Sequence, residues 1–251
     1  MLLLSVVFLV IYTVASAIVG VRLLLRSRIT HGVPELLAGL AYVTAPATGY
    51  PLCVTAPMLP RPLAVPVYML GETLLMSGCC FYLFFTAKVF RPAAPWALRI
   101  AVMGSTILAV CGIQNIWAFI SSADAAEIMA RARLGLAPIV AVLWLYYIWT
   151  AYEGFRYYRM MKKRMALGLA DAVLTNRFLL WGFAGIVSLA WNSVSAVCLA
   201  LGIDLRSALP VFTTSLGGFA NTVLLVLIFM PPAAYTRWVM RSTRAGALAP
   251  A

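Results

Sequence analysis

In seven places this sequence runs for about twenty residues or more with at most two charged side chains, over Leu2–Leu25, Leu36–Leu59, Val65–Val89, Trp96–Ile120, Leu134–Tyr152, Phe178–Ile203 and Ala208–Ala234. The hydrocarbon layer of a bilayer is about 30 Å thick and takes about 20 helical residues to cross. Inside it every backbone N–H and C=O must be paired within the structure, which selects helices; barrel strands alternate in polarity and are about half as long. Composition agrees: 64% of the 251 residues are hydrophobic and 10% charged, where a soluble domain carries about 25% charged residues. A water-soluble core of this composition would leave too little polar surface to cover it. A soluble enzyme, a nucleic-acid-binding domain and a disordered chain are thereby excluded. The expected fold is all-α, a single polytopic domain of seven transmembrane helices over residues 1–251, with a short basic tail over 235–251.

The net charge of +12 points to nucleic acid only when basic residues cluster on a folded polar surface. Here they follow the loops instead. With the N-terminus outside, the cytoplasmic segments collect Arg22, Arg26 and Arg28; Lys88, Arg91 and Arg99; Arg156, Arg159, Lys162, Lys163, Arg164 and Arg177; and Arg237, Arg241 and Arg244. Outside remain Arg61, Arg131, Arg133 and Arg206, so fifteen basic residues face four. That asymmetry sets the N-terminus outside and the C-terminus in the cytoplasm. Trp96, Trp238, Tyr157, Tyr158 and Tyr235 flank the inner arginines as interfacial rings, and Pro92, Pro95, Pro231 and Pro232 mark the inner ends of the third and seventh helices. Ala15-Ser16-Ala17 has the look of a cleavage site, but no positive charge precedes the apolar run, so the segment reads as a retained first helix. The longest loop carries Arg156, Arg159, Lys162, Lys163 and Arg164. It reads as an inward extension of the fifth helix that meets an anionic inner leaflet and offers a surface to a cytoplasmic signalling protein. The expected location is a bacterial inner membrane.

Polar groups at membrane depth are costly and face the interior of a bundle. Glu72 is the acid read as lying well inside a span, with Thr73 and Ser77 after it. An acid at a helix centre costs about 2.5–3.5 kcal/mol on insertion scales, so a partner or water is expected; an ion pair with Arg131, Arg133 or Arg206 would make its role structural. Candidate companions are Gln114 and Asn115 in the fourth helix, the Ser188–Asn192–Ser195 stripe of the sixth, Thr214, Gly217, Gly218 and Asn221 in the seventh, and Thr48 and Tyr50 beside Pro46 and Pro51. Trp117 and Trp191 would wall a cavity that opens outward. Asn, Ser and Gly stripes equally serve as helix–helix glue. Trp144, Tyr146, Tyr147, Trp149 and Tyr152 read as packing and interface anchors. The five cysteines fall in apolar stretches and His31 is the only histidine, so no metal site, cofactor or catalytic set is expected.

Leu36–Ala41 and Leu179–Ala184 open the second and sixth helices with similar residues, and Val89-Phe90-Arg91-Pro92 and Ile228-Phe229-Met230-Pro231 close the third and seventh. Their spacing pairs helices one to three with five to seven in a three-plus-one-plus-three layout. In architecture the chain resembles the broad transporter, opsin and receptor group of heptahelical proteins. The lysines are Lys88, Lys162 and Lys163, none in the seventh span, and Asp-Arg-Tyr, Asn-Pro-x-x-Tyr and Pro-Gln signatures are missing. A retinal-binding opsin would need a lysine in the seventh span for the Schiff base, so no cofactor is expected here, and likeness of architecture gives no function by itself. Three functions remain open: a receptor or sensor for a small cationic or hydrogen-bonding ligand, a small-solute or proton-coupled carrier, and a structural subunit of a membrane complex.

Overall fold

The computed structural model describes residues 2–122, 124–203 and 207–248; Arg206 and the side chains of Arg133 and Arg244 lie outside the described residues. All described elements are helical: α1 (Leu2–Thr30), α2 (Val33–Thr44), a π-helical turn (Ala45–Gly49), α3 (Tyr50–Thr55), a 3-10 turn (Ala56–Met58), α4 (Arg61–Phe90), α5 (Pro95–Ser121), α6 (Ala125–Ala166), α7 (Ala172–Ala200), α8 (Ala208–Phe229) and α9 (Ala233–Leu248). Among the described residues six helices, α1 and α4 to α8, are long and apolar enough to cross a membrane, which gives the chain the character of a helical membrane protein. The surface fits: Val10, Val14, Ile18, Val21 and Leu25 form an apolar stripe along α1, each about half exposed, at the three- and four-residue spacing of one helix face.

The second apolar stretch is not one regular helix. Pro46 and Pro51 remove two backbone donors. The chain answers with a π turn, in which the Tyr50 N–H reaches back to the Ala45 carbonyl and the Thr48 hydroxyl donates to the Val43 carbonyl at 2.7 Å. The resulting composite rod still runs antiparallel to α4: Ala45 lies against Gly78, Gly49 against Leu75 and Cys53 against Gly71.

Packing closes a ring in chain order. α1 packs on α2, the composite rod on α4, α4 on α5, α5 on α6, α6 on α7, α7 on α8, and α8 returns to α1. One apolar core joins α4, α5 and α6 through Leu83, Leu108, Val142 and Tyr146. Another joins α1, α2, α4 and α8 through Val19, Tyr42, Phe85 and Leu225. The fifth apolar stretch, expected over Leu134–Tyr152, is part of a 42-residue helix, about 63 Å long at 1.5 Å per residue. Asp124 caps its start by accepting from the Glu127 N–H at 2.8 Å. Its C-terminal end carries the exposed Arg156, Arg159, Lys162, Lys163 and Arg164, so this basic segment continues the helix of the fifth apolar stretch.

The seam between the π turn and α4 sets backbone against backbone. A Cβ at Gly49 would stand 2.4 Å from the Leu75 nitrogen, so Gly49→Val must spread the composite rod from α4. The expected loss is about 1–3 kcal/mol, the range for overpacking a tight contact, read as a lower unfolding temperature of the detergent-purified protein.

Candidate functional site

Six of the seven rods send side chains into one cavity inside the ring. α1 contributes Tyr12, α2 Tyr42, α4 Tyr82, α6 Tyr146, Tyr147 and Thr150, α7 Trp181, Ser188 and Trp191, and α8 Asn221, around about 50 Å³ of free space. That holds a few water molecules. The rings brace one another: Tyr42 meets Tyr82 edge-on at 5.2 Å, Tyr82 lies 6.0 Å from Tyr146, and Tyr12 meets Trp191 edge-on at 6.2 Å between centroids. Hydroxyl groups run between them, with Tyr42 bonded to Tyr82, Tyr146 to Thr86 and Thr150, and Thr86 3.3 Å from Thr150. Asn221 donates to Ser188 at 2.8 Å. Two glycines of α8 make room: a Cβ at Gly217 would lie 2.0 Å from the Trp191 ring and one at Gly218 2.8 Å from that of Tyr12. The lining is uncharged, rich in hydroxyls and π faces. Such walls favour a small cation or a compact hydrogen-bonding molecule.

Glu72 sits apart from this cavity. It is 4% exposed, at the junction of α3, α4 and α5. Its Oε1 accepts from Asn115 Nδ2 at 2.9 Å and its Oε2 from Cys53 Sγ at 3.6 Å. Gly71 lets the Cys53 backbone approach, and Gly135 of α6 leaves space beside Asn115 Oδ1. An arginine does not supply the pairing considered for Glu72 from Arg131, which bonds to Glu127 at 2.6 Å. Glu72 and Thr73 line a groove of about 190 Å³ between α4 and α5.

A second buried acid stands in the C-terminal half of α6, beside the end of α4. Glu153, 1% exposed, bonds Arg91 Nε at 2.6 Å and Arg156 Nη1 at 3.2 Å. Arg91 lies 5.7 Å over the Trp96 ring, and the Tyr157 hydroxyl donates to the Phe90 carbonyl at 3.0 Å. Together these contacts fasten the end of α4 to α6.

The expected ligand-binding residues therefore fall into separate places. Glu72, Thr73 and Asn115 belong to the α4/α5 side; Trp191 and Asn221 belong to the aromatic cavity. Asn192 is buried and donates to the Val140 carbonyl at 3.4 Å, a bond within the α6–α7 seam. Tyr50 meets the Thr214 side chain, tying α3 to α8. Gln114 is half-buried and lines neither space. Trp117 is 65% exposed and walls no cavity; two positions after the buried Asn115 it stands about 200° around the helix, so the two cannot face one way. Tyr146 and Tyr147, read from sequence as anchors, line the cavity, as do Tyr12, Tyr42 and Tyr82, which the sequence reading passed over. Their signal was tyrosine in the middle of apolar stretches, away from the headgroup zone where such rings usually gather.

Removing Arg91 leaves Glu153 buried with one partner. Arg91→Ala is expected to cost about 3 kcal/mol, the low end for breaking a buried pair, in a thermal or denaturant unfolding assay, with Glu153→Gln in the same background recovering part of it. Dicyclohexylcarbodiimide, which partitions into lipid, is expected to label Glu72 ahead of Glu153 because the α4/α5 groove reaches Glu72 while two arginines cover Glu153; peptide mass spectrometry reads the site. No family model, curated protein or solved structure matches this chain.

Proposed function

We propose that the chain is a seven-span receptor or sensor of a bacterial inner membrane, N-terminus outside and C-terminus cytoplasmic. It binds a small cationic or hydrogen-bonding ligand in the aromatic cavity and signals through a cytoplasmic protein that meets the basic inner end of α6. The observation that carries this reading is a single uncharged, hydroxyl-rich cavity drawn from six rods of a closed ring. A ligand there touches nearly every rod at once, so its binding bears on the relative positions of all of them. The composite second rod counts as the seventh span: residues 33–58 correspond to about 39 Å of helix and accompany α4 past the π turn. Fifteen inner against four outer basic residues support the orientation.

Two observations favour the carrier as a second reading. Among the described residues α5, the linker of a three-plus-one-plus-three layout, is the rod that contributes nothing to the cavity, and the second rod is broken at mid-length, as substrate-binding helices of carriers are.

The test uses the full chain in phosphatidylcholine nanodiscs, titrated with small amines and alkylammonium ions and followed by tryptophan fluorescence, since Trp181 and Trp191 wall the cavity. A cation that binds is expected to lose at least about tenfold in affinity, or about 1.4 kcal/mol, in Asn221→Leu, and to keep its affinity in Glu72→Gln. The reverse pattern overturns the cavity assignment. Uptake of the same ion into proteoliposomes separates carrier from receptor.

A further inference from the structure

The groove between α4 and α5 differs from the central cavity in place and in chemistry. It opens on the outer perimeter of the ring, where Thr73, Ala109 and Ile113 are exposed beside the equally exposed Leu70, Val110 and Trp117. On a ring whose outer face is apolar, this is the face toward lipid. The walls are hydrocarbon and thioether, from Met76, Ala109, Ile113 and Ile116, and its polar atoms come from Glu72, Thr73, Ser77 and Cys80.

Those polar atoms have their hydrogens committed elsewhere. The Thr73 hydroxyl donates to the Met69 carbonyl at 2.8 Å, the Ser77 hydroxyl to the Thr73 carbonyl at 2.7 Å, and the Cys80 thiol to the Ser105 carbonyl at 3.8 Å. Glu72 already draws on Asn115 and Cys53 as donors and keeps lone pairs to spare, since a carboxylate has about four acceptor positions. The groove thus offers acceptors and one acid, inside apolar walls that open sideways.

A matching ligand has an N–H-bearing cationic head and a hydrocarbon body. We propose that the α4/α5 groove is a binding site, reached from within the bilayer, for a lipid-soluble primary amine whose ammonium group is held by Glu72, Thr73 and Ser77 while its chain lies along α4 and α5. The head and first methylenes fit the groove, and the remaining chain stays in the lipid. Burial of the ammonium against an acid is favoured here because the contact pairs a charge in hydrocarbon with a carboxyl that has hydrogen-bond donors but no cation beside it among the described residues.

Native mass spectrometry of the full chain, released from phosphatidylcholine nanodiscs loaded with octadecylamine, octadecanol or octadecyltrimethylammonium, tests this. The expected result is one retained octadecylamine per chain, at least tenfold above either the neutral alcohol or the quaternary ion, which has charge but no N–H. Glu72→Gln is expected to cut retention of the amine tenfold or more. Ile113→Trp alters only the lipid-facing rim, so it folds even where a change at Glu72 does not, and is expected to reduce retention by closing the groove. Asn221→Leu, in the central cavity, is expected to leave it unchanged, so failure here is separable from failure of the receptor reading. Equal retention of the three probes, full retention by Ile113→Trp or Glu72→Gln, or loss confined to Asn221→Leu overturns the site.

Discussion

Two helices in hydrocarbon gain little by hiding apolar surface from lipid that is equally apolar, so their association rests on close approach of backbones and on hydrogen bonds between them. The ring is built on that constraint. Gly20 and Gly39 bring α1 and α2 together, Gly78 meets the backbone of Ala45, and Gly154 meets that of Gly182. At each seam a side chain would stand where a main chain now lies. Because the rods touch closely along these perimeter seams, the larger side chains that point inward, the tyrosines and tryptophans, meet across the middle and leave a small cavity between them.

Polar chemistry is distributed by what each location has to solve. The cavity is neutral, and its hydroxyls bond to one another across three rods, those of α2, α4 and α6. The lone acid of the α4/α5 side is held by an amide and a thiol in place of an arginine, so it keeps the acceptor capacity that a salt bridge would have absorbed. Where α4 ends against α6 the opposite choice is made: Glu153 is fully occupied by Arg91 and Arg156, and the result is a fastening. Buried carboxyls of one chain thus differ in availability through their donors.

The apolar helices and the basic extension of α6 were legible because hydropathy and charge bias act over whole segments. The break in the second rod was partly legible: Pro46 and Pro51 announce freed carbonyls, but sequence does not say that a π turn and the Thr48 hydroxyl will settle them. Glu153 escaped notice because the apolar stretch was ended at Tyr152, one residue before it, although the helix runs on to Ala166. The grouping of Glu72 with Asn192 and Asn221 assumed that polar residues at similar depth converge. Rotation about each helix axis decides that, and it placed Asn115 toward Glu72 and Trp117 toward the outside.

Pro138 lies on α6 just before the residues that line the cavity, and from Ile139 to Ala166 the helix continues without another proline. A bend absorbed at that proline leaves a stiff arm of about 42 Å, with Tyr146 and Tyr147 near its pivot and the basic side chains at its far tip. A tilt of one degree moves that tip by about 0.7 Å over such an arm. A displacement too small to notice among the tyrosines is by that geometry enlarged at the basic tip, and Arg91, gripping Glu153 part of the way along, ties the arm to the end of α4.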